Sequence, residues 1–120
     1  RQFSHGVLDC YTLIRDYYKR ELNINLKNYF REDEWWEKGE NLYVDNFKEQ
    51  GFVQILDEND LQKYDTFLIK LVSSVPNHAA IYIGNDTILH HVYGRLSNRQ
   101  MYGGYWRKHT THHLRHESLC

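Results

Sequence analysis

One proline and seven glycines are all that 120 residues contain of the usual chain breakers, so no long linker or low-complexity segment can be drawn, and no internal repeat is visible. Cysteine is nearly as scarce. Cys10 and Cys120 lie at opposite ends, and two cysteines form one bridge at most, which is no disulfide framework. Cys120 is the last residue, where chains fray, and reads as incidental. Charge of one sign is missing too: 15 Lys and Arg stand against 16 Asp and Glu, a net charge of -1. A chain without basic excess lacks the electrostatic footprint for a phosphate backbone, and nucleic acid is not expected as a partner. The apolar runs are short and interrupted, so neither a transmembrane helix nor a signal peptide fits, and membrane insertion is not expected. What remains is rich in hydrophobic (41%) and aromatic (15%) residues, far beyond a disordered tail. The expectation is one domain over residues 1–120 with one core, and a start at Arg1 without Met suggests a processed or excised piece.

The pattern along the chain changes period once. Asp9 can cap a helix over residues 9–21, in which Leu13, Ile14, Tyr17 and Tyr18 recur at helical spacing among Arg15, Asp16, Lys19 and Arg20. Residues 23–38 show no clean period. Leu42, Tyr43, Val44 and Phe47 predict a second helix over 40–50, ended by Gly51. Beyond it, "FVQIL", "DTFLIKLV", "HAAIYIG" and "TILHHVY" are β-branched and aromatic segments parted by turn residues, and "YWRKHTTHHLRH" is a last strand. "GRLSNR" and "YGGYW" read as loops. Helices first and neighbouring strands afterwards make an α+β domain with an antiparallel sheet.

Within that frame Cys10 falls in the first turn of the first helix, where unpaired N–H groups and the positive end of the dipole favour a thiolate. A buried, inert cysteine is the commoner fate, and the carboxylate of Asp9 works against the thiolate, so this segment alone is evenly balanced. His78 opens a strand continued by small Ala79 and Ala80, which leave room above the strand for a substrate or a second side chain. With eight histidines present, an exposed strand-edge residue is the competing reading. A partner for His78 depends on the hairpin that follows. A two-residue turn at Gly84-Asn85 or Asn85-Asp86 brings His91 to the face of His78, while the three-residue turn Gly84-Asn85-Asp86 brings His90 opposite Ala80, and this composition suits either. His109, His112 and His116 lack a cysteine or carboxylate cluster at zinc spacing and are expected along a solvent-facing strand. Trp35, Trp36, Trp106 and the Tyr102–Tyr105 region read as core or cleft wall.

"DC" opening a helix, "NHAAIYIGND" and "ILHH" together resemble the NlpC-type cell-wall peptidases, a branch of the papain-like cysteine peptidases, over nearly the whole chain. The family pattern, with a polar third residue twelve positions after the histidine, selects His90 over His91. The resemblance implies a papain-like fold in which the N-terminal helices pack on the sheet. It implies a cysteine endopeptidase with Cys10 as nucleophile, His78 as base and His90 as the residue that holds His78. No metal or organic cofactor is implied. "NLYVDNF" and the long segment from Pro76 to Trp106 resemble the phage-tail branch of the family. This implies a peptidoglycan stem peptide as substrate, cut at the γ-D-glutamyl–diaminopimelate bond, and other phage tail-tip proteins as partners. It places the protein in the virion tail, or in host cytoplasm during assembly, acting in the periplasm or cell wall. Tyr11 and Thr12 replace the usual Ser-Gly after the cysteine, and the tyrosine that many members carry about a dozen residues earlier falls before Arg1. A structural tail-assembly role and an acyltransferase on the same fold are the alternatives.

Overall fold

The computed structural model describes residues 10–26, 42–71, 73–91 and 98–120. Helix α1 (Cys10–Leu22) lies one residue from its expected limits, with the proposed cap Asp9 outside the described residues. Its buried stripe of Tyr11, Ile14, Tyr17 and Tyr18 opposes exposed Lys19, Arg20 and Glu21. Lys19 and Arg20 also complement the negative end of the helix dipole. Asn23, left-handed at φ 54°, turns the chain out, and the N–H of Ile24 returns to the Tyr18 carbonyl at 3.2 Å.

The second helix ends earlier than expected: among the described residues α2 covers Leu42–Asn46, with residues 40 and 41 outside them, after which the chain turns down to Gly51. Gly51 is required there twice over: its φ is +88°, and a Cβ would stand 2.9 Å from His116 Nε2.

Six strands follow among the described residues: β1 (Phe52–Ile55), β2 (Thr66–Ile69), β3 (His78–Tyr82), β4 (Thr87–His90), β5 (Asn98–Met101) and β6 (Thr110–His116). They form one antiparallel sheet in the order β1-β6-β2-β3-β4-β5, so the α+β expectation holds. Two loop assignments hold only in part: Asn98 and Arg99 of "GRLSNR" begin strand β5, its residues 94–97 lying outside the described residues, and "YGGYW" ends inside helix α3 (Gly104–His109), so the strand expected from Tyr105 starts at Thr110.

Alternation along the strands builds two cores. Leu68, Ala79, Ile81 and Leu114 face α1 and α2 with Tyr11, Ile14, Tyr18, Tyr43 and Phe47. Phe67, Ile69, Ala80, Tyr82, Ile88 and Tyr102 form the second core on the opposite face, with Trp106 of α3 packed against it. A fully buried side chain such as Phe67 contributes about 1.5–3 kcal/mol through the area it removes from water. A hydrogen-bond chain fastens α3 to this face: His113 Nε2–H donates to the Tyr102 hydroxyl (2.9 Å), that hydroxyl to Thr110 Oγ1 (2.7 Å), and Thr110 to the Trp106 carbonyl (2.8 Å).

Strand β6 lies between β1 and β2, which corrects the solvent-facing placement of the C-terminal histidines. His113 is buried against Phe67, His112 packs on Phe47 and His116 on Phe52, while His109 belongs to α3. Arg115 on the same strand donates to both carboxylate oxygens of fully buried Asp65, at 2.8 and 3.0 Å. No helix among the described residues is long and apolar enough to cross a membrane.

Candidate active site

The hairpin between β3 and β4 decides the parity left open by the sequence. Tyr82 pairs with Ile88 and Ala80 with His90, and the Ile83 N–H donates to the Thr87 carbonyl at 3.0 Å. Gly84, Asn85 and Asp86 are therefore the three turn residues, all left-handed, with φ of 89°, 52° and 54°. Glycine adopts this conformation freely, and Asn and Asp tolerate it better than other side chains. His90 thus sits diagonal to His78 on one face, and the methyl of Ala80 leaves the space between them open.

The rings meet across that space. His78 Nε2 and His90 Nδ1 are 2.8 Å apart, with ring planes at 62°. His78 is 2% exposed and His90 fully buried, which overturns the alternative of an exposed strand-edge histidine. On its other side, His90 Nε2 stands 2.5 Å from Gln100 Oε1 on β5. The Trp106 indole closes over the pair, edge to face with His90 at 4.6 Å and tilted against His78 at 5.9 Å. Trp106 is the wall its aromatic character suggests. His91, beside them in sequence, is buried as well, at 1% exposure.

Burial dominates the electrostatics. It holds the His78 pKa well below its ordinary value, and the charges that His90 and His91 would carry push the same way. Burial lowers His90 too, against an upward pull from the Gln100 hydrogen bond. Both rings are neutral near pH 7, so a lone pair is available to take a proton.

Cys10 is the first residue of α1, and its side chain lies outside the described residues. The far end of that helix is fixed: the Tyr18 hydroxyl donates to the Tyr64 carbonyl and lies 3.3 Å from Thr66 Oγ1, beside the Tyr82 end of β3. Tyr11, in the first turn, lines a cavity of about 30 Å³ together with Leu68 and Ala79. Among the described residues, no three His, Cys, Asp or Glu side chains come together as a metal site.

The sequence singled out the two histidines that the structure brings together and gave no sign of Gln100 beside them. Strand β5 is an edge strand reading "NRQM", with no apolar alternation to announce it, and its register depends on the connection after His91. Nothing in the sequence signals that glutamine.

Comparison with known proteins identifies the family. The family model described as "NlpC/P60 family" matches residues 1–115. Two curated relatives, both named "Tail tip assembly protein K", come from Escherichia phage lambda (44% identical over 98% of this chain) and Escherichia phage N15 (33% identical over 99%). This chain covers 58% and 49% of their respective lengths, about half of each. A buried histidine pair on neighbouring strands, a cysteine opening the helix that packs on that sheet, and a match spanning nearly every residue lead to one conclusion: the chain belongs to the NlpC/P60 family.

Proposed function

We propose that residues 1–120 form a cysteine peptidase domain that hydrolyses peptidoglycan stem peptides at a phage tail tip, with the γ-D-glutamyl–diaminopimelate bond as target. The observation that carries this reading is the 2.8 Å contact between buried, neutral His78 and His90. It is supported by family membership and by relatives named for the tail tip.

In the proposed reaction Cys10 Sγ, as thiolate, attacks the scissile carbonyl carbon, and the carbonyl π pair moves onto oxygen. The Cys10 N–H at the start of α1 helps to hold that oxyanion. His78, holding the proton taken from the thiol, delivers it to the leaving nitrogen as the C–N bond breaks, and a thioester remains. Water then attacks the thioester and gives its proton to His78, and the C–S bond breaks to release the acid and restore the thiolate. His90 keeps the His78 ring in line throughout. The two rings lie on the face opposite α1, so thiol and imidazole have to meet at the end of the sheet. His78, at the first position of β3, stands at that end.

The name of the relatives also favours a second reading, a tail-assembly component that docks on other tail proteins without cutting anything. Incubation with purified sacculi separates the two, with mass spectrometry of the released fragments. The peptidase reading expects fragments cut at the stem peptide, and none from the Cys10→Ala protein. Undigested sacculi, or fragments released equally by Cys10→Ala, would sink it.

A further inference from the structure

Three side chains on consecutive strands step across one face of the sheet: His78 on β3, His90 on β4 and Gln100 on β5. The contact between the rings joins Nε2 of one to Nδ1 of the other and has room for one hydrogen. Two arrangements satisfy it. In the first, His78 Nε2 carries the hydrogen and donates to a bare His90 Nδ1. In the second, His90 Nδ1–H donates to a bare His78 Nε2. A neutral imidazole holds one hydrogen on its two nitrogens, so the choice at one atom fixes all four.

Only the first arrangement leaves His78 Nδ1 with a lone pair. In the second, that nitrogen carries the hydrogen, and the ring has no free site for a thiol proton. The choice is made at the far end of the row, where His90 Nε2 stands 2.5 Å from Gln100 Oε1, an atom that only accepts. His90 Nε2 must therefore carry the hydrogen, its Nδ1 is bare, and His78 Nε2 supplies the hydrogen between the rings.

We propose that Gln100 is a positioning residue that sets the tautomers of both histidines, through His90, and so leaves His78 Nδ1 free as the base. The glutamine touches neither thiol nor substrate and acts through two hydrogen bonds. A side-chain amide suits the role better than a carboxylate. It offers an acceptor to His90 Nε2–H without a charge that would draw a second proton onto the buried pair. The inference rests on the peptidase reading for its functional consequence but not for its structural content.

The test reads the tautomers directly. Long-range ¹H–¹⁵N correlation spectra of the ¹⁵N-histidine-labelled chain at neutral pH distinguish a protonated ring nitrogen from a bare one. Both His78 and His90 are expected with hydrogen on Nε2. In Gln100→Met, close to isosteric but without an acceptor, both rings are expected to lose that single tautomer, whereas Gln100→Glu, which keeps an acceptor, should keep hydrogen on His90 Nε2. Turnover on wall peptides should fall roughly tenfold to a hundredfold in Gln100→Met at unchanged KM, with partial recovery in Gln100→Glu, by analogy with losing the outer partner that orients a metal-bound imidazole. Hydrogen on Nδ1 of either ring in the parent protein, or unchanged tautomers in a folded Gln100→Met, would overturn the assignment. If Gln100→Met does not fold, the parent spectrum alone decides. A parent with the expected tautomers that cuts no peptide sinks the peptidase reading and leaves this one standing, and the reverse result does the opposite.

Discussion

The Trp106 indole meets the His90 ring edge to face at 4.6 Å and packs against a histidine pair that is buried from solvent. Trp106 reaches it because α3 is short and fastened at its last turn through Thr110 and Tyr102 to His113. Trp106→Ala should admit water and relieve the burial that depresses both histidines, so their protonation midpoints should rise toward the ordinary value of about 6.5. An NMR titration of the ring carbons in the parent and the variant checks this. Midpoints that stay put or fall would show that the indole does not control solvent access.

The two adjacent histidines should separate cleanly on substitution. His90→Ala removes the acceptor for His78 Nε2–H, and turnover should drop by on the order of a hundredfold or more. His90→Asn should retain more, because an amide oxygen can still accept that hydrogen bond. His91→Ala should leave turnover nearly unchanged and lower the melting temperature, since the side chain is buried outside the ring contact. Steady-state assays paired with thermal melts decide it, and an inactive His91→Ala beside an active His90→Ala would reverse the assignment.

Thiol chemistry offers a test independent of any substrate. Cys120 is free and exposed, which makes it an internal reference. Iodoacetamide at mildly acidic pH should label Cys10 well ahead of Cys120, because the start of a helix favours the thiolate. Equal rates in the folded protein, followed by peptide mapping, would argue against an activated nucleophile.

Acid should destabilise the fold through the same buried rings. His78, His90, His112 and His113 all have depressed pKa values in the folded state, and burial is the first cause in each. Once unfolded, these histidines take protons near pH 6.5, while the folded protein resists until lower pH. Unfolding therefore takes up protons in that window, and stability falls as the pH drops through it, by about 1.4 kcal/mol per pH unit for each fully engaged proton. Melting temperatures recorded between pH 8 and pH 5 should decline below about 6.5. A flat or rising curve over that range would contradict the burial of the pair.

How far the sequence could be read depended on the reach of the interactions. Helix α1 was legible because its apolar stripe is local and more than three turns long. The β3–β4 hairpin was legible up to its parity, since composition permits two turn lengths and only the pairing of Ala80 with His90 chooses between them. Helix α3 was hidden because six residues beginning with glycine show no period, and its stability comes from Tyr102 and Thr110. Gln100 was out of reach altogether. Its role exists only through an edge-strand register that no neighbouring residue encodes.

The insertion of β6 between β1 and β2 has a consequence for how the chain comes into being. A ribosome delivers β1 and β2 early, yet both lack a shared neighbour until residues 110–116 have emerged. During that interval two strand edges stand open, and Asp65 waits without the arginine it will hold. The β3–β4 hairpin, by contrast, closes locally and can bring His78 beside His90 early. The histidine pair can thus assemble before the sheet that buries it, and sealing of the fold waits for β6.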